Sequence, residues 1–403
     1  MITKRHLLYL ALAGVLAGLA APAAAQETIK VGEINSYKEF PAFLDPYKKG
    51  MELALGEINA KGGVLGKKLE VISRDDGANP GKAVRAADEL VTREGVTVLA
   101  GAYLSNVGLA ITNFAGHKKV FYLAGEPLTD KITWEDGNKY TFRLRPSTYM
   151  QTAMLLPEAV AAHKKRWALV YPNFEYGQSA AADFKEMMKK AQPDVEFVTE
   201  QATPLGKIDA GAVAQAIDNA KPDGIFNVLF GGDLLKFVRE GETRGIFKNR
   251  TVVSLLTGEP EYLDPLKGEA PVGWIVTGFP WNKIKTPEYY AFLNAYQTKY
   301  KTYPRLGSVV GYTLVKSLAA GIEAAKSTDP DKLVAAFKGL HVGSPFGTIY
   351  YRAIDHQSTM GGYVGKIALE NGKGTMVDFK YVDGASVMPP DSVVKKLRPA
   401  SAN

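Results

Sequence analysis

The chain has 403 residues, no cysteine, and 49 basic against 42 acidic side chains. Disulfides, thiolate metal sites and lipid attachment at a cysteine are therefore excluded. The basic surplus is scattered in short lysine pairs instead of the aromatic-laced stripe that nucleic acid requires.

The first 25 residues read as a secretory leader. Lys4, Arg5 and His6 form a basic start, Leu7 to Ala20 an apolar run too short to span a membrane, and Ala23-Ala24-Ala25 a small-residue cleavage motif before Gln26. The remaining 378 residues are expected in the periplasm as a soluble protein of two domains.

From there, short apolar runs alternate with helical patterns. Strands are expected at 29–34, 68–73, 97–103 and 120–124, and helices at 47–60, 82–92 and 106–115. The stretch AGAYLSNVGLAITNFAG, residues 100–116, is a strand running into a helix with Ser105 at the capping position. Such a corner points free backbone N–H groups and a positive dipole end outward, where an anion can rest.

The alternation restarts after Arg145-Pro146. Strands are expected at 167–171, 196–199, 224–230, 252–256 and 274–277, with helices between them. Three more helices follow at 288–300, 309–325 and 331–338, then short strands from 348 to 382 with turns at Asn371-Gly372 and Asp383-Gly384. Alternation of this kind requires parallel sheets covered on both faces. The expected fold is α/β, with two doubly wound parallel-sheet domains joined by several crossing strands. Residues 26–145 plus 280–350 form the N-terminal lobe and 146–279 plus 351–403 the C-terminal lobe. Ligands of such sheets sit beyond the carboxyl ends of the strands. Tyr103 to Ser105 would face 171–176, 230–232 and 256–259 across a cleft.

Catalytic signals are sparse. The histidines are isolated, and neither an HExxH nor a GxSxG motif occurs. GGVLGKK misses phosphate-loop spacing and reads as a turn. Asp75-Asp76 reads as a turn and helix cap before Pro80, and Arg143 or Arg145 as an ion pair between domains. No enzyme activity, cofactor or metal is expected.

The segments IKVGEINS, EINAKGGVLGKKLE, DDGANPGKA, FRLRPS, YGQS and GYTLVKSLAAGIEAA carry a resemblance that covers nearly the whole mature chain. It is similar to type I periplasmic solute-binding proteins, the Leu/Ile/Val-binding family that serves ABC importers. The resemblance implies a carboxylate grip at Tyr103, Ser105 and Asn106, and a loop at Gly125-Glu126 that meets the ammonium of an amino acid. It also implies contacts in the second domain from Tyr176 and from the stretches at Phe230 and Glu259, to which the strand-end reading adds Phe174. It implies a small-molecule ligand and a membrane permease as partners, with no nucleic acid, and a monomer.

This chain departs from the family's amino-acid binders. Its first corner is poor in hydroxyls, its first loop carries Tyr37, Phe40, Phe43 and Tyr47, and no carboxylate is securely matched to an ammonium. The expected ligand is a small aromatic carboxylate of the hydroxybenzoate or phenylpropenoate type, captured by hinge closure. The alternatives are a branched-chain or other amino acid, a sensing receptor domain, and an exported hydrolase.

Overall fold

The computed structural model describes residues 27–402. The expected leader and Gln26 lie outside the described residues.

The first sheet is wholly parallel. Its strands are β1 (Thr28–Asn35), β2 (Lys68–Asp75), β3 (Val98–Gly101), β4 (Phe121–Ala124) and β5 (Thr141–Arg143), in the order β2-β1-β3-β4-β5. All four residues of β3 and of β4 are buried, which is why these strands read as continuous apolar runs without alternation. Helices α1 (Pro41–Ala60), α2 (Pro80–Thr92) and α3 (Ser105–Lys118) connect the strands. We call this sheet with its helices the first lobe.

Beyond β5 the chain enters a second lobe through α4 (Thr148–Ala161). There follow β6 (Arg166–Pro172), α5 (Glu175–Ala191), β7 (Glu196–Thr203), α6 (Ala210–Ala220), β8 (Gly224–Asn227), α7 (Gly231–Arg244), β9 (Thr251–Gly258), α8 (Pro260–Leu266) and β10 (Ile275–Gly278). The next helices, α9 (Pro287–Tyr300), α10 (Leu306–Ala325) and α11 (Pro330–Phe337), lead back to the first lobe, where α10 lies along α1. Glycines permit that approach. A Cβ on Gly311 would stand 2.1 Å from the Tyr47 carbonyl oxygen, and one on Gly50 2.0 Å from that of Ser308.

A small ribbon of β11 (His341–Ser344) and β12 (Gly347–Tyr350) precedes the last crossing. The hairpin of β13 (Gly362–Glu370) and β14 (Lys373–Val382) then joins β10 antiparallel, giving a second sheet in the order β14-β13-β10-β9-β8-β6-β7. Its turn is Asn371-Gly372, both at positive φ. The first and third crossings are tied together. Arg143 N–H donates to the His356 carbonyl at 3.0 Å, and Ser358 N–H donates to that of Arg143 at 2.9 Å.

Four expectations need correction. Helix α1 starts at Pro41, not Tyr47, because a proline at the first helical position forfeits no hydrogen bond; Phe43 and Tyr47 are thus buried helix residues. Asn79, not an aspartate, caps α2, while Asp75 and Asp76 accept the turn N–H groups of Gly77 and Ala78. Asp383-Gly384 makes no hairpin; Asp383 caps a short 3-10 turn. The expected second-lobe segment 351–403 also divides. The tail after β14, with α12 (Asp391–Leu397), turns back to the first lobe, where the buried Arg398 guanidinium donates to the Thr133 and Asn138 carbonyls at 2.8 and 3.1 Å.

Candidate functional site

The chain leaves β3 through two residues in the left-handed region, Gly101 at φ 103° and Ala102 at φ 64°. Alanine is strained there, and surrounding bonds hold it: Ala102 N–H donates to the Ile34 carbonyl at 2.7 Å, and its own carbonyl accepts from Glu126 N–H at 3.3 Å. The facing strand ends likewise, with Leu256 of β9 at φ 65° and its N–H donating to the Thr277 hydroxyl at 2.8 Å. Both kinks aim side chains into the space between the lobes.

The residue capping α3 is Leu104, which supplies no side-chain bond, and Ser105 is the first helical residue. That corrects the expected capping role. The buried Ser105 hydroxyl instead braces the loop after β4, its oxygen accepting from Leu128 N–H and Thr129 N–H, each at 3.2 Å. Both lone pairs are thereby engaged and the hydroxyl hydrogen remains to donate. The first-turn N–H groups of α3 have no intrahelical partner either.

Between the lobes lies a nearly filled cavity of about 20 Å³. From the first lobe Tyr103, Leu104, Ser105, Glu126 and Leu128 line it; from the second come Phe174, Tyr176, Phe230 and Leu256. Phe174 and Phe230 each stand immediately before a helix, α5 and α7, and Tyr176 lies in the first turn of α5. The rings form one assembly, with Phe230 centroids 5.8 Å from Tyr176, 6.2 Å from Phe174 and 6.1 Å from Tyr103. Tyr103 and Phe230 also line a larger cavity of about 490 Å³ outside, so they form the partition between the two. Phe40 contacts both at 4.8 and 5.9 Å.

Six of the expected residues therefore meet in one cavity: Tyr103, Ser105, Glu126, Phe174, Tyr176 and Phe230. Phe43 sits behind Tyr103 at 5.3 Å and lines the outer cavity. Asn106 follows on α3, its Oδ1 buried without a partner. Gly125 is a packing position, where a Cβ would stand 3.1 Å from Leu314 Cδ1. Glu259 lies outside the cavity lining, against Arg145. Leu104 and Leu256 fall within the stretches 103–105 and 256–259 expected to face the cleft, and Leu128 completes the lining from the loop after β4. None was singled out as a contact, because apolar residues at strand ends carry no signal separating a cavity wall from a core.

The ion pair expected between domains falls on Arg145. Its Nη1 lies 2.5 Å from Glu126 Oε1 and its Nη2 3.2 Å from Glu259 Oε1, joining the two lobes with all three side chains buried. Arg143 makes no such pair; it bonds Gln357, Thr133 and the Leu128 and Thr129 carbonyls. Burial disfavours the Arg145 cation, but the two glutamates outweigh it and raise its pKa. Burial pushes Glu126 up to about 8 against the pull of Arg145, and raises Glu259 well above the carboxylate range. Each glutamate keeps one oxygen, Oε2, buried without a partner, and so does the Tyr176 hydroxyl.

Further bonds link the lobes around the cavity. Glu175 of α5 accepts from the Thr129 hydroxyl at 2.8 Å and from Lys131 at 3.1 Å. Glu261 of α8 accepts Gly307 N–H at 2.9 Å, and Asp264 pairs with Arg305 at 2.7 Å.

The profile of the periplasmic binding protein family matches residues 28–374. The chain belongs to this family. Leu/Ile/Val-binding protein homolog 7 of Brucella suis biovar 1 (strain 1330) is 26% identical, over 98% of this chain and 99% of its own. Two solved solute-binding proteins of ABC transporters from Rhodopseudomonas palustris are each 25% identical with a TM-score of 0.80. The one from strain BisB5, in complex with 3,4-dihydroxybenzoic acid, covers 91% of this chain and 99% of its own. The one from strain HaA2, in complex with p-hydroxybenzoic acid, covers 92% and 100%. This periplasmic binding protein is an ABC-type solute-binding protein with the two-domain type I fold.

Its buried carboxyls predict how stability varies with pH. Burial raises Glu33 and Glu261 to about 7 and Glu126 to about 8, so the folded chain holds protons that the unfolded chain releases near the ordinary carboxylate pKa. Stability therefore falls as pH rises toward 8, and Glu259, raised well above the carboxylate range, continues the fall in the same sense. Below about 6.5, buried His356 acts in the opposite sense, since burial and Arg398 hold it neutral until unfolding lets it protonate. Between pH 6.5 and 8.5 the loss is on the order of 3 kcal/mol, a drop in Tm of roughly 6–12 °C. A Tm that climbs over this interval in thermal melts would refute the buried-acid assignment.

Proposed function

We propose that this solute-binding protein captures a small aromatic carboxylate of the hydroxybenzoate or phenylpropenoate type in the cavity between its lobes. The observation that carries the reading is the Arg145 guanidinium clasped between Glu126 and Glu259. An amino acid needs a buried carboxylate for its ammonium group, because an unpaired buried cation costs several kcal/mol. Here the two candidate carboxylates already share a cation of the protein's own.

The remaining chemistry agrees with an anionic ring. The carboxylate takes the Ser105 hydroxyl hydrogen and the first-turn N–H groups of α3, which with the helix dipole hold an anion without a lysine. The ring lies among Tyr103, Phe174, Tyr176 and Phe230. A ring of phenylalanine size buries about 150 Å², worth about 4 kcal/mol, whereas a micromolar Kd needs about 8 kcal/mol. Charge-assisted bonds at α3 supply the balance. The space between the closed lobes is about 20 Å³, room for little more than a water molecule. An aromatic acid therefore enters as the lobes part, and the rings close around it. Both similar R. palustris proteins were solved with hydroxylated benzoic acids.

Ligand bridging both lobes shifts the population toward the closed form by rotation about the crossing strands. The closed protein, a monomer without turnover, delivers its ligand to a membrane permease. Residues 1–25 are the export signal, cleaved after Ala25. The second reading, a branched-chain or other amino acid, draws on the Brucella relative's name and on the unpartnered Glu126 oxygen. A thermal-shift screen of 4-hydroxybenzoate, coumarate, benzoate, leucine and phenylalanine separates the two. Aromatic acids raise Tm by several degrees and leucine leaves it unmoved; the reverse pattern would restore the amino-acid reading.

A further inference from the structure

Glu126 is held in an unusual way. Arg145 fixes one of its carboxyl oxygens at 2.5 Å, which sets the plane of the group, while Oε2 is shut off from solvent without a partner. The residue forms part of the cavity wall, and its other first-lobe neighbours there include Leu104 and Leu128. A buried carboxyl oxygen left unbonded is costly, and a ligand presenting only carbon to this wall would leave it so.

Building on the aromatic-acid reading above, we propose that Glu126 is a specificity-determining residue that selects aromatic acids bearing a ring hydroxyl over the unsubstituted acid. The hydroxyl bonds Glu126 Oε2 while the ligand carboxylate occupies the α3 end. The orientation follows from charge. At α3 a ligand carboxylate meets several donors and a positive helix end, whereas Glu126 offers it like charge when ionised and a single hydroxyl donor when protonated. A phenolic hydroxyl both donates and accepts, so it bonds the ionised or the protonated carboxyl equally. Burial pushes Glu126 up to about 8, and both forms are therefore populated near neutral pH. Tyr176, whose hydroxyl is also buried without a partner, can donate to a carboxylate as readily as to a hydroxyl, and so does not discriminate between ligand classes.

The test is calorimetry on the mature chain with benzoate, 3-hydroxybenzoate, 4-hydroxybenzoate and leucine, repeated on Glu126→Leu and Glu126→Gln. The native protein prefers the better-placed hydroxybenzoate over benzoate by ~5- to 150-fold, the range that one satisfied buried polar group supports. Glu126→Leu brings the ratio to within about twofold, as expected when the hydrogen-bonding group is lost. Glu126→Gln keeps an oxygen for Arg145 and an amide toward the cavity, and retains the preference even if the leucine variant does not fold. Equal native affinities for benzoate and both hydroxybenzoates, or a preference surviving in Glu126→Leu, overturn the role of Glu126 while leaving the aromatic-acid reading intact. Leucine binding with all aromatic acids silent overturns both.

Discussion

Arg145→Met lowers stability by about 3–5 kcal/mol, the largest loss expected for one substitution in the cleft. Methionine approximates the length of the side chain but removes the cation paired with both Glu126 and Glu259, which are 4% and 1% exposed. Without the guanidinium, burial and mutual repulsion raise both carboxyls further, and their ionised forms, which grow in as pH approaches 8, are left uncompensated in a dry interface. At about 2–4 °C per kcal/mol, Tm falls by roughly 6–20 °C, and the fall is steeper at pH 8 than at pH 6. Restoring neutrality separates charge from packing, because replacing a whole buried ion cluster is often nearly neutral. Arg145→Met combined with Glu126→Gln and Glu259→Gln should therefore recover most of the loss. A single mutant melting within about 2 °C of the parent, less than 1 kcal/mol, would show that the cluster does not hold the lobes.

Ser105→Ala weakens binding of an aromatic acid by roughly ten- to a hundredfold, since one charge-assisted hydrogen bond contributes about 1.5–3 kcal/mol. The hydroxyl also accepts Leu128 N–H and Thr129 N–H, so its loss slackens the loop that carries Glu126 and Leu128 into the cavity. Affinity and stability should fall together, affinity further. Calorimetry with 4-hydroxybenzoate and a melt of the same preparation measure both. If Tm drops while Kd holds, Ser105 is a brace for the loop and not a ligand contact.

How much of this was legible in the residues differs from element to element. The parallel sheets were plain, since VLAG and FYLA are fully buried strands and were read as such without alternation. The strand-to-helix corner at Ser105 was visible because a serine followed by helical spacing has a physical meaning. Its bonds to Leu128 and Thr129 were not, because they depend on the tertiary approach of a loop 23 and 24 residues away. Two prolines, Pro41 and Pro46, disguised the first turns of α1 as loop. The left-handed Ala102 and Leu256 left no trace, as neither residue type favours positive φ and only the surrounding bonds hold them there. Arg145 was read as an ion pair, but its double engagement needed Glu126 and Glu259 brought from either side of the cleft.

The central claim is that an internal arginine has displaced the ammonium of an amino acid and left a cavity for an anionic ring. The most direct measurement is a calorimetric competition on protein stripped of bound solute by unfolding and refolding. Leucine is titrated first, then 4-hydroxybenzoate into the same cell. The account predicts no heat from leucine at millimolar concentration and a saturable, one-to-one isotherm for the aromatic acid with a micromolar or lower Kd, about 8 kcal/mol or more. Saturation by leucine, followed by silence from 4-hydroxybenzoate, would contradict it.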